Sequence, residues 1–124
     1  MTVQSIRVSD FTRLPGPRYI REGPFSGEQY RTQRLAPAFE AAFRAGQTLE
    51  VDLDGMKYGY PASFLEESFG GLCRLWTDPK EAPKLLTPDQ VWNQLSIKSN
   101  DDPTLVTTVN RYIQEANERK TTGR

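Results

Sequence analysis

Residues 48–73, TLEVDLDGMKYGYPASFLEESFGGLC, constrain the fold of this chain more than any other stretch. Thr48 to Leu53 alternates, with Leu49, Val51 and Leu53 toward one face and Glu50 and Asp52 toward the other, the period-two pattern of a strand with one buried face. Asp54-Gly55 is a turn dipeptide. Ser63 then opens a helix, with Leu65, Phe69, Leu72 and Cys73 on one side. A strand that runs into a helix through a short polar connection is half of a βαβ unit. Its connection lies at the C-terminal end of the strand, where open α/β sheets place their ligands.

The flanking sequence supplies the other layers. Residues 3–11 alternate loosely and predict a first strand, broken by Leu14-Pro15-Gly16-Pro17; Arg18 to Ile20 is read as a short second strand. Ser26 with Gln29 fits a capping box, so a helix is expected to about Ala45, stopped by Gly46, with a kink or a break at Pro37. Ser63 with Glu66 repeats the capping pattern, and Gly70-Gly71 permits close backbone approach to a neighbouring strand. A loop over 77–84 leads to a short helix opened at Thr87-Pro88, with Trp76 and Trp92 fastening it. A strand at 95–99 and a helix at 103–118 complete the domain, with the tail from Lys120 disordered. The expectation is one domain over 1–119, of the α/β or α+β class, with helices on a sheet of about four strands.

Composition narrows the function classes. The chain has 124 residues, 16 basic and 16 acidic, hence no net charge, which argues against a dedicated nucleic-acid binder. No apolar run reaches the length of a membrane span. Cys73 is the one cysteine, so a reducing, cytoplasmic setting is expected, with the thiol inert in the core. With no histidine, the commonest general base and metal ligand is absent; no catalytic residue, metal or cofactor is expected.

The candidate contacts follow from position. Tyr58 and Tyr60 flank Gly59 beside the connection, with Phe64 next to it; exposed, they are anchors for a protein partner, and buried, they are core. Ser63 reads as a helix cap completed by Glu66. Arg18, Arg31 and Arg34, with Arg21, form a candidate anion-contact cluster.

The segments GPFSGEQYRTQRLAP (23–37) and VDLDGMKYGYPASFLEESFGGLCR (51–74) closely resemble a bacterial STAS-like domain family, related to anti-sigma factor antagonists. The resemblance covers roughly residues 15–75 and implies a mixed sheet with helices against one face. It further implies a non-enzymatic regulatory module that binds a protein partner, a GHKL-type ATPase or kinase, and is phospho-regulated at the start of the helix after the central strand. By position that acceptor is Ser63, and the partner surface is Tyr58, Tyr60, Ser63, Phe64 and Glu67. The family places two serines here, with Asp before them in better-known relatives; this chain has Pro61, Ala62 and Ser63. Two alternatives stay open. One is a small enzyme or nucleotide-binding protein using Asp52, Asp54, Glu66 and Glu67, although the chain has no P-loop and no GxGxxG. The other is a self-associating decoy protein from a phage or mobile element, which would make a homodimer.

Overall fold

A computed structural model describes residues 3–77 and 93–121. Three strands, β1 (Val3–Arg7), β2 (Thr48–Asp52) and β3 (Leu95–Lys98), form a sheet in that order, both pairs parallel. The sheet is therefore all-parallel rather than mixed, and has three strands among the described residues rather than about four. The expected strand at Arg18–Ile20 is not formed. That segment leads into a 3-10 turn at Ile20–Glu22, closed by reciprocal bonds between Tyr19 and Glu22. It belongs to a strap over 13–26 whose backbone bonds run to helix starts and loops rather than to a strand edge: Gly27 N–H donates to Pro17 O and Glu28 N–H to Arg18 O.

Parallel neighbours require a crossover, and helices supply both. The first is α1 (Gly27–Tyr30), a π turn (Arg31–Leu35) and α2 (Ala36–Arg44), in unbroken succession. Ser26 Oγ accepts the Gln29 N–H, as a cap should, while the Gln29 side chain reaches back to the Phe25 N–H. Pro37 is the reason for the π turn. An interior proline cannot donate to the fourth carbonyl behind it, and its ring crowds that carbonyl. The chain widens by one residue just upstream, and Ala36 N–H bonds Arg31 O, five residues back. Gly46, at φ 68°, ends the helix as expected.

The second crossover repeats the device in α3 (Ala62–Leu65), a π turn (Glu66–Gly70) and α4 (Gly71–Thr77). The last helix, α5 (Thr104–Thr121), packs on this π turn and on α4. It runs past Lys120, so the tail expected from that residue is helical to Thr121. The loop over 77–84, the Thr87-Pro88 helix and Trp92 lie, apart from Thr77, outside the described residues.

The core lies between the helices and one face of the sheet. Leu49, Val51 and Leu95 point into it, against Phe39, Phe64, Phe69 and Val109, as the alternation in β2 dictates. Register sets two polar rows across the other face, Ser5-Glu50-Ser96 and Arg7-Asp52-Lys98. Cys73 is buried. Among the described residues no helix is long and apolar enough to cross a membrane.

The two crossover helices meet backbone to backbone. A Cβ on Gly27 would lie 2.6 Å from the Phe64 carbonyl oxygen, closer than any real Cβ contact, and Ser68 Oγ donates to Gly27 O there. Gly27→Ala is therefore expected to lower stability by about 1–3 kcal/mol through overpacking, read as a shifted urea midpoint with an unchanged slope.

Candidate functional site

The connection from β2 to α3 forms the C-terminal end of the sheet. Asp54 organises it. Its carboxylate accepts from Ser99 Oγ at 2.9 Å, from Asn100 N–H at 3.0 Å and from Asp101 N–H at 2.9 Å. Asp52 Oδ1 accepts the Asp54 N–H, and Asp101 Oδ2 accepts the Gly55 N–H. The backbone bonds from Asp101 and Asn100 hold the Asp54 carboxyl below its usual range. Asp54 is thus a clamp between two loops, its carboxylate taken up by Ser99, Asn100 and Asp101, while Asp52 accepts the Asp54 N–H. Among the described residues no group of three or more His, Cys, Asp or Glu is placed to hold a metal ion.

Beyond Gly55 the chain lies against the strap: Lys57 N–H donates to Arg13 O, and Arg13 Nε to Gly55 O. Leu14, Pro15, Tyr58, Gly59, Tyr60 and Pro61 line an open groove of about 340 Å³. Tyr58 is 83% exposed and Leu14 52%. Tyr60 is half-buried; its hydroxyl donates to Leu53 O at 2.8 Å, and burial pushes its pKa above the usual range.

Ser63 is half-buried in the first turn of α3. It does not cap the helix: Pro61 is the N-cap residue, with no side-chain cap bond. The start is two residues earlier than the Ser-Glu pattern suggests, because Pro61 supplies an extended φ/ψ and an acceptor, its carbonyl taking the Phe64 N–H. Phe64 and Glu67, expected on the partner surface, face inward. Phe64 is fully buried against Tyr30 and Tyr60, and Glu67 is 8% exposed.

Glu66 and Glu67 meet the arginines instead. The Arg18 guanidinium bonds Glu66 at 2.5 Å and Glu67 at 3.3 Å; Arg74 bonds Glu66 at 2.6 Å; Arg31 bonds Glu67 at 2.5 Å. The anion that Arg18 and Arg31 contact is therefore internal. Arg34 stays exposed, its guanidinium 5.9 Å from the Phe11 ring centre. The π turn explains the Arg31 position. Gly71 N–H bonds Glu66 O, five residues back, and Ser68 O, which takes from Glu67 O its ordinary helical donor. Arg31 Nη1 replaces it at 2.9 Å. The glycine pair leaves room for this side chain, since a Cβ on Gly71 would lie 2.5 Å from Arg31 Nη1. What approaches Gly70-Gly71 is thus an arginine rather than a strand. Sequence reading missed Arg74 and the pairing itself; the surplus of arginine before residue 47 and of carboxylate after residue 50 was the available signal.

Arg31→Met would take from the buried Glu67 carboxylate its shorter partner, leaving the longer Arg18 contact at 3.3 Å, and would orphan the Glu67 carbonyl. The expected cost is roughly 3–5 kcal/mol, measured by urea unfolding. For Glu66, burial pushes the carboxyl up, but bonds from Arg74 and Arg18 outweigh it and hold the pKa below the ordinary 4.5. A depressed folded value means that this stabilisation is complete above pH 4.5 and is lost as pH falls through the folded pKa. Acid unfolding followed by circular dichroism should show that decline, and Glu66→Gln should make it shallower.

Residues 32–104 match the family model for the STAS-like domain of unknown function (DUF4325). The match reaches beyond residue 75 to β3 and the start of α5, whereas the 15–31 strap and helix start precede it. No curated protein and no solved structure matches the chain. With more than half of its length covered, including β2, the π turn at Glu66–Gly70 and β3, the chain belongs to the STAS-like domain family.

Proposed function

We propose that this domain is a non-enzymatic regulatory module that binds a protein partner at the C-terminal end of β2. The observation that carries the reading is the exposed apolar groove of Leu14, Pro15, Tyr58 and Pro61 beside Ser63. Its aromatic anchor is held on a loop that is itself pinned, by Arg13 to Gly55 and by Lys57 to Arg13. A rigidly presented aromatic loses little entropy on binding. The contact residues are Tyr58, Tyr60 and Ser63; Phe64 and Glu67 support them from within. A GHKL-type ATPase or kinase is the partner class that the family resemblance suggests.

Ser63 is the candidate point of regulation. It precedes Glu66 by three residues, so the two side chains are neighbours on the helix surface. A phosphate on Ser63 would repel the Glu66 carboxylate and compete with it for Arg18, whose side chain is 31% exposed. The strap carrying Arg18 also carries Leu14 and Pro15, so this exchange would act on the groove.

The test separates surface from core. Tyr58→Ala should leave stability within about 0.5 kcal/mol and abolish capture of the native partner from host extract. Phe64→Ala should instead cost roughly 3–5 kcal/mol, so loss of binding there reports unfolding. Intact-mass analysis of the chain recovered from its host should show one added phosphate, absent in Ser63→Ala. Normal partner capture by Tyr58→Ala would overturn the reading of the groove.

A further inference from the structure

The groove continues past Tyr60. Gly59 and Tyr60 also line a second, more enclosed hollow of about 210 Å³, walled by Leu53, Met56 and Leu105 and rimmed by Asp101 and Asp102. Both carboxylates are exposed, and each spends one oxygen inside the protein. Asp101 Oδ2 accepts the Gly55 N–H, and Asp102 Oδ1 accepts the Thr104 N–H and hydroxyl. Neither forms an ion pair with an arginine or lysine among the described residues.

We propose that the two hollows together seat one extended segment of a partner protein, which sets an aliphatic side chain against Tyr58 and Leu14 and an arginine or lysine in the inner hollow. This rests on the interaction-module reading and names the chemistry of the partner. The complementarity is specific to a cationic head on an apolar stem. The methylenes of arginine or lysine cover apolar walls while the charge stays at a polar rim, and here the walls are Leu53, Met56 and Leu105 and the rim is two carboxylates with no ion pair among the described residues. An acidic segment or a nucleic-acid phosphate would meet those carboxylates with like charge. The hollows adjoin at Gly59 and Tyr60, so the two anchoring side chains stand two or three residues apart, roughly 7–10 Å of extended chain.

The test is an NMR titration of the full-length, nitrogen-labelled chain with acetyl-Leu-Ser-Arg-amide, its citrulline counterpart and agmatine. The arginine peptide should shift the amides of Tyr58, Gly59, Asp101 and Leu105 and bind about tenfold more tightly than the citrulline peptide, which keeps the shape and loses the charge. Asp101→Asn with Asp102→Asn keeps an amide oxygen for Gly55 and Thr104, so fold and melting temperature should hold while the preference for arginine disappears. Equal affinity for the two peptides, agmatine binding as tightly as the peptide, or shifts confined to other surfaces would each overturn the inference. Partner capture lost in Tyr58→Ala yet intact in the double asparagine variant would also overturn it, leaving the module reading in place. Capture intact in both would overturn both.

Discussion

The Arg31–Glu67 contact is the interaction on which the arrangement of the helices depends. It joins the two crossover helices at their π turns, and it does two jobs with one guanidinium: it neutralises a buried carboxylate and replaces the donor missing at Glu67 O. A buried ion pair by itself is weak evidence of stability, because desolvation offsets most of the attraction. Here the pair also satisfies a backbone carbonyl that the widened helix leaves open, and an unsatisfied buried carbonyl is costly. The geometry needs both local defects. Without Pro37 the first helix has no cause to widen at Arg31–Leu35, and without Gly71 there is no space for the side chain that crosses over.

From that crossing the network spreads to the surface. Glu66 and Glu67 together hold Arg18, Arg31 and Arg74, so the strap over 13–26 is fastened to the helix that follows β2. The strap places Leu14 and Pro15 opposite Tyr58 and Pro61. The groove thus depends on charges that lie outside it, and a change in the pairing of Arg18 is a change in one of its walls. Asp54 does the corresponding work on the other side, tying residues 99–101 to the end of β2.

Part of this was legible in the residues. The alternation in Thr48–Asp52, the stripe of Leu65, Phe69, Leu72 and Cys73, and the pattern of Val109, Ile113 and Ala116 gave the central strand and two helices, because periodic burial is a local signal. Family resemblance pointed to the fold and to the connection where the groove lies. The failures are as physical. Arg18–Ile20 has the residues of a strand, but its backbone is claimed by Gly27 and Glu28. Ser63-Glu66 has the residues of a capping box, but Pro61 starts the helix earlier and Glu66 is claimed by two arginines.

The sequence by itself determined which residues alternate, where the chain must turn, and that Pro37 and Gly70-Gly71 would disturb their helices; each follows from backbone chemistry within a few residues. Tertiary structure alone decided that Phe64 and Glu67 lie inside, and so turned them from surface candidates into buried residues. It also decided which acid meets which arginine across 36 to 49 positions of chain, and that two hollows would open on either side of Tyr60. Those outcomes depend on how segments distant in sequence are brought together, and no local pattern of residue types specifies that distance.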